Sequence, residues 1–479
     1  MDVPRLRRLT VVPLALAAVG LGGMATTATA AVIPPNVDVS AAPANEAEDA
    51  VAANPTAPDN VVTMSTLPDV PAGLFEGVSF DGGQTWTRQL IGTGAPLGKI
   101  CCDEQLAWDR YGNLWMTYLV NTSGKVLVAV STDGGLSFRK VAAITPTKPS
   151  GKRAPSGAEP KRLRGPSKGP ASGDQPSIST GPGSVWVSYT TFRSVQIQAV
   201  GARVTGLGQF GPFSRPETVP TANGRGDFGD TAVGPDGQVA VTYQDQTNGQ
   251  GGSHIYTALD PDGLGPAGFG DPRLLARSRV GGFDYIPAQP DRSVDAEANL
   301  AWDRSGGPHN GRLYAIWTQE SKNESDDMNV MLQYSDDSGA SWSPAVRLND
   351  DHTANSQFNP AIAVDQATGG VAVSWYDCRN DAGTGGPGDT DAIPNDDTQI
   401  WATSSADGGA TFAANFRVSA GTSNATAAGS GFDYGDYTHA AFQSHHFYPV
   451  WSDNSDSAGA NPDGKLDQFD LYTALVLIP

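Results

Sequence analysis

An eight-residue phrase recurs four times along the chain: Ser79–Trp86 (SFDGGQTW), Ser131–Phe138 (STDGGLSF), Ser335–Trp342 (SDDSGASW) and Ser405–Phe412 (SADGGATF). Each copy reads Ser, any residue, Asp, any residue, Gly, any residue, Ser or Thr, then Trp or Phe. Such text specifies a turn. Asp accepts hydrogen bonds from the backbone N–H groups that follow it. Gly supplies a positive φ that other residues resist, and the closing aromatic covers an apolar interior. A turn written four times implies a supersecondary unit built at least that often.

A longer period confirms the unit. Asp103–Leu119 (DEQLAWDRYGNLWMTYL) and Glu297–Trp317 (EANLAWDRSGGPHNGRLYAIW) each read as a short strand, a Gly-containing turn and an aromatic strand. Looser copies start at Glu48, Asp174, Asp230, Asn359 and Asp436. After each strand pair come a third strand, a turn and a fourth. Four antiparallel strands per repeat at this spacing define a β-propeller blade. The expectation is an all-β propeller of seven four-stranded blades, with six as the alternative if the Glu48 copy is incomplete. The recurrent turn falls between the third and fourth strands of blades 1, 2, 5 and 6. Blade 7 runs out of chain before its fourth strand. Asn36–Ala42 (NVDVSAA) resembles the fourth strands Asn415–Gly421 (NFRVSAG) and Ala345–Asp351 (AVRLNDD). It is expected to pair with Phe469–Ile478 and close the ring, which removes exposed sheet edges.

The four turns resemble the Asp-box, or BNR, repeats of the sialidase superfamily, and the resemblance spans nearly all of the chain after residue 30. It implies a sialidase-like propeller, a site on the face opposite the turns, and exo-glycosidase chemistry on glycans. The family's Phe/Tyr-Arg-Ile-Pro tetrapeptide, which supplies an arginine to the substrate carboxylate, is absent. Phe283–Gln289 (FDYIPAQ) carries the Ile-Pro without the Arg.

Strand order decides which loops share the site face: those entering each first strand and those leaving each second strand. The first-strand starts supply Asp103, Asp174, Asp230, Glu297 (with Asp295 beside it) and Asp436, followed by Tyr437; Tyr434 precedes them in blade 7. The second-strand ends supply Asp245, Glu320, Asp377 and Asp453, with Arg193 and Arg379. Carboxylates that converge raise one another's pKa and leave a protonated acid beside an ionised base. Glycosidic bond cleavage uses such a pair. The expected catalytic set is Asp103, Asp174, Asp230, Glu297, Asp436 and Tyr437. Substrate contacts are expected from Arg193, Arg379, Asp377, Glu320 and Tyr434, with the arginines on an anionic sugar group. The plainer alternative has these carboxylates cap strand ends, leaving a non-catalytic extracellular propeller that binds glycan or protein.

No cofactor is required by this chemistry, although clustered carboxylates could hold Ca²⁺; the acidic, Gly-rich loops Asn380–Asp397 and Asp453–Asp470 are further places for it. The chain has no His-Glu-x-x-His, Gly-x-Ser-x-Gly or phosphate-loop motif. A net charge of −20 argues against nucleic-acid partners. Residues 1–30 read as a signal peptide: Arg5, Arg7 and Arg8, an apolar run from Leu9 to Met24, then Ala28–Ala30. Residues 31–479 then form one exported propeller, expected to be a soluble monomer that meets extracellular polysaccharide or glycoconjugate and no membrane. Within it, 145–173 is a basic Pro/Gly-rich insertion expected to be disordered. Three cysteines are present. Adjacent Cys101 and Cys102 suggest a vicinal disulfide, and pairing of one of them with Cys378 is the other option.

Overall fold

The computed structural model describes Met1 and residues 31–121, 123–147, 172–192, 195–245 and 249–479. Nearly all of the segment read as a signal peptide, Arg193 and nearly all of the basic insertion lie outside the described residues. Seven antiparallel sheets each run from an inner strand to an outer one. In blade 1 these are Ala47–Ala53, Val61–Thr66, Leu74–Ser79 and Thr87–Ile91. The inner strands of blades 2 to 7 are Gly98–Trp108, Gly173–Gly181, Thr231–Val233, Asn299–Trp302, Gln357–Val364 and Ala440–Gln443. They pack on one another in cyclic order, and blade 7 meets blade 1. The ring is a seven-bladed propeller, and the Glu48 copy is a full blade.

Closure follows the expected route. Val37–Asp38 takes the fourth place in blade 7 and pairs with Thr473 and Tyr472. Val39 N donates to Leu471 O at 2.8 Å, and Glu46 N to Phe469 O at 3.1 Å. The second strands form the packed middle of each blade. Trp115, Trp317, Trp375 and Trp451 lie on them and are fully buried. Each such aromatic contributes on the order of 3 kcal/mol by leaving water.

The recurrent turn is a hydrogen-bonded lock. Ser79 Oγ donates to Asp81 Oδ1 at 2.8 Å and accepts from Gly83 N at 2.9 Å. Thr85 donates to the same carboxylate through N at 2.9 Å and through Oγ1 at 2.6 Å. The same bonds recur around Asp133, Asp337 and Asp407. These bonds hold the Asp81 carboxyl down at about 2. Gly135 has φ +98° and sits so close to Val62 of blade 1 that a Cβ would come within 2.5 Å of it. The lock therefore also seats one blade against the previous one.

The inner strands share a second device. The ladder slips between Ala47 and Ala50, Cys102 and Gln105, Asp174 and Ser177, and Phe358 and Ala361. Within these β-bulges Glu48, Asp103, Gln175 and Asn359 adopt positive φ, between 42° and 60°. Such bulges bend a strand and re-aim a side chain. Glu48, Gln175 and Asn359 lie among the first three residues of their strands and Asp103 midway along Gly98–Trp108, all on the side away from the recurrent turns.

Candidate active site

The face with the bulges is crossed by a hairpin outside the repeat. Asp284–Ile286 and Gln289–Val294 form it between blades 4 and 5. Asp433 of blade 7 fastens it: one carboxylate oxygen accepts from Asp291 N at 2.9 Å and Arg292 N at 2.7 Å. The hairpin thereby lowers Arg292 into the funnel. Its guanidinium grips Asp436 through both oxygens, with Nε at 2.6 Å from Oδ1, and lies 3.5 Å from Glu48 Oε1. It stacks 4.4 Å from the Phe432 ring.

Blades 2 and 3 complete the crown. Gln175 N donates to Asp103 Oδ2 at 2.8 Å, and Gln175 Nε2 reaches Asp436 Oδ2 at 3.2 Å. Asp436 N lies 3.4 Å from Glu48 Oε1. Asp103, Gln175, Asp436, Arg292 and Glu48 thus form one connected network contributed by four blades and the hairpin. Asp174, Asp227, Asp295 and Glu297 surround it within electrostatic reach.

Arg292, with Arg225 acting on Asp227, cannot neutralise so many buried carboxylates. Burial, and then the neighbouring carboxylates, push Glu48, Asp174, Asp295 and Glu297 well above the usual carboxylate range. Burial also raises Asp103, and lifts Asp227 to about 6. Arg292 opposes the rise at Glu48, Asp103, Asp174 and Asp295. Glu48 Oε2, Gln175 Oε1 and Glu297 Oε2 are buried acceptors with no donor among the described residues. Neutral acids beside an ion-paired carboxylate can transfer protons, and unfilled acceptors can receive hydroxyl groups.

Of the residues expected from sequence, Asp103, Asp174, Glu297 and Asp436 come together in this crown. Tyr437 is buried beside it, within electrostatic reach of Glu48, Asp103, Glu104 and Glu297. Burial drives its phenol well above its ordinary value, so the oxygen keeps its proton. Asp230 has a structural place. It accepts from Ser177 Oγ at 2.5 Å and from Thr231 N and Leu300 N at 2.7 Å, tying blades 3, 4 and 5 together.

The residues expected to contact substrate are spent elsewhere. Tyr434 is a core residue, packed 4.4 Å from Tyr376 and 4.9 Å from Phe469, with its hydroxyl on Thr398. Asp377 accepts from Trp375 Nε1 at 2.7 Å and from Arg379 Nε at 2.9 Å. Arg379 also binds Asp350 at 2.8 Å and Asn415 at 2.9 Å, and stacks over Trp401. Its charge belongs to the outer strands, with none left for a sugar anion. Glu320 closes its own loop by accepting from Glu324 N and Ser325 N. All three cysteines are free thiols, so the vicinal disulfide expected at Cys101 and Cys102 is absent. Cys101 sits in a ladder slip between Ile100 and Cys102.

Arg292, Glu48 and Gln175 escaped the sequence reading. Arg292 lies in an insertion, where no repeat predicts a position. The available signal was a single Arg in a loop that must cross the acidic face.

Fold and site together define the class: a seven-bladed β-propeller whose acidic crown closes around one arginine. No family model and no curated protein matches the sequence. Among solved structures, the chain is similar to an α-L-arabinanase of Penicillium chrysogenum, at 14% identity and TM-score 0.44, covering 72% of this chain and 94% of that one. It is also similar to the Hadza microbial sialidase Hz136 (14%, TM-score 0.42, 86% and 74%) and to the phage phi92 endosialidase (11%, TM-score 0.46, 94% and 69%). These likenesses are distant, and the propeller assignment stands on the strand pairings themselves.

Proposed function

We propose that the crown is a carbohydrate site and that the protein is a secreted, exo-acting glycoside hydrolase. The observation that carries this reading is the coexistence of raised, buried carboxyls with Asp436, which is ion-paired to Arg292. Glu297 is the general acid: burial and neighbouring carboxylates keep its proton on near neutral pH. Asp436 is the base or nucleophile, its charge supported by the bidentate guanidinium. Asp174 can substitute as a proton source. Glu48 and Gln175 orient sugar hydroxyls through their free acceptor oxygens.

The charge balance favours a neutral sugar. An anionic sugar would meet several carboxylates, and Arg292, the guanidinium inside the network, is already paired. The substrates are therefore neutral residues at the ends of extracellular polysaccharide or glycoconjugate. Binding needs no cofactor, nucleic acid or membrane, and one chain suffices.

The test is hydrolysis of a panel of neutral aryl glycosides and plant or microbial polysaccharides by the full chain. Asp436→Asn and Glu297→Gln should each lower kcat by about 10²–10⁴-fold while the thermal melt stays cooperative. A second reading, binding without turnover, draws support from the bonds that already occupy Asp103 and Asp436. Retention of the wild type on polysaccharide gels, with no product from any glycoside, would establish that reading instead.

A further inference from the structure

The connection between the second and third strands of blade 6 carries a second acidic cluster, apart from the crown network. Asp381 lies near its start, and Asp396 and Asp397 at its end, where the strand Asp397–Ser405 begins. One oxygen from each can be chosen so that all three lie within 4.8 Å of one another. The three residues are only 4%, 2% and 2% exposed. Among the described residues no Lys or Arg pairs with any of them.

Two of the carboxylates are well supplied with donors. Asp381 accepts from Gly383 N at 2.9 Å, Asp396 N at 2.8 Å and Asp397 N at 3.0 Å. Asp397 accepts from Thr390 Oγ1 at 2.5 Å and from Asn424 Nδ2 at 2.9 Å. Asp396 differs. Among the described residues its buried Oδ1 has no donor, and its Oδ2 has only a long contact, 3.3 Å, with Asn424 Nδ2. A buried carboxylate oxygen left bare beside two like charges is costly, and a native fold rarely keeps one without a partner. The missing partner must be positive, small and content with oxygen alone.

We propose that Asp381, Asp396 and Asp397 form a calcium site that braces blade 6. Ca²⁺ takes six to eight oxygens in irregular geometry, so three carboxylates can serve it with backbone carbonyls and water completing the shell. Mg²⁺ demands a near-ideal octahedron and gives up water reluctantly, which suits a closed cluster poorly. An all-oxygen set is also a poor match for zinc or copper.

The site has a path to the funnel. Asn424 donates to Asp396 and Asp397, and its own Oδ1 accepts from Ala427 N at 3.0 Å, capping the short helix Ala425–Ala428. That helix packs on Gln289–Val294, the strand that carries Arg292. A cation here holds the loop, the cap and the arginine hairpin in one arrangement. The claim concerns metal binding and stands whether or not the crown hydrolyses glycans.

The experiment is calorimetric titration of the EDTA-stripped full chain with CaCl₂, paired with thermal melts. One Ca²⁺ per chain and a higher Tm are expected. Asp396→Asn should weaken binding at least about tenfold and abolish the Tm gain. Its calcium-free form should melt at or above the calcium-free wild type, because the substitution relieves the like-charge conflict. Should that variant not fold, Asp397→Asn gives the same readout. The proposal is overturned by a folded wild type that binds no Ca²⁺ at millimolar concentration. Undiminished binding by the variants, or equal affinity for Mg²⁺, would overturn it too.

Discussion

Arg292→Met tests whether one charge organises the crown. Met keeps an apolar stem of similar reach and removes the guanidinium. Two unit charges about 4 Å apart attract by about 4 kcal/mol at an effective dielectric near 20. Removing one member of a buried pair costs about 3–5 kcal/mol, because the other charge is left stranded. The side chains of Arg292 and Asp436 are 31% and 12% exposed, so solvent screens part of this. A loss of about 2–3 kcal/mol remains.

The loss should depend on pH, and its sign follows from Arg292 lowering the pKa values of Glu48, Asp103, Asp174 and Asp295. Burial already raises these carboxyls above their unfolded values. Each therefore contributes stability that is present below the unfolded value and fades as pH rises towards the folded one. Removing the cation raises them further and steepens that fall. Urea unfolding should place the variant near the wild type at pH 4 and about 2–3 kcal/mol below it at pH 8. An equal deficit at both pH values would refute the electrostatic role and leave Arg292 acting through its packing on Phe432.

Glu76 is buried in blade 1 with its carboxyl pushed up to about 8. Glu76→Gln should therefore stabilise the protein by about 2–4 kcal/mol at pH 8 and by little at pH 4, measured by the same unfolding series. Asp81→Ala removes a turn lock. It should cost about 1 kcal/mol at neutral pH without changing kcat, since the turn lies on the face away from the crown. Because Asp81 is held near 2, its contribution is present above the ordinary carboxylate value and disappears as pH falls towards 2. Gly435 has φ +81°, and a Cβ there would collide with Glu48 Cγ. Gly435→Ala should cost about 2 kcal/mol or more and reduce hydrolysis together with stability.

How much was legible in the sequence depended on whether a residue obeys the repeat. Asp81 and its three counterparts do, so blade register followed from spacing, while ring closure followed from the likeness of Asn36–Ala42 to the fourth strands and the choice of face from the resemblance to Asp-box propellers. Asp103, Asp174 and Glu297 also sit at repeat positions, and the crown holds them. Side-chain destination was harder to read. Asp230 and Asp103 hold like places in the repeat text, yet Asp230 turns to Ser177 and Leu300 while Asp103 joins the crown network through Gln175. Asp103 lies within a bulge, where the ladder slips between Cys102 and Gln105, whereas the ladder after Asp230 is regular. At the ends of the second strands, Asp377 and Glu320 found donors in their own loops first. Arg292 was hidden because its position depends on an insertion folding across the axis.

The bulges also explain why the crown is polar at all. Seven inner strands converge on one axis, and their starts are crowded. A residue forced to positive φ there is strained, and Asn and Asp bear that conformation best because short polar side chains can bond locally. Asp103 and Asn359 fit this preference; Glu48 and Gln175 are costlier, by about 1 kcal/mol or more each. Strain of this kind persists where the surroundings over-determine it, and here they do. Gln175 reaches from blade 3 to Asp436 of blade 7, and Asn359 Nδ2 donates to Gly435 O at 3.2 Å. Glu48 faces Arg292. Each strained residue holds a partner on another blade, so the geometry that closes the ring also fixes where its acids and Arg292 meet. The side chain at this single position differs from blade to blade: an acid in blades 1 and 2, an amide in blades 3 and 6.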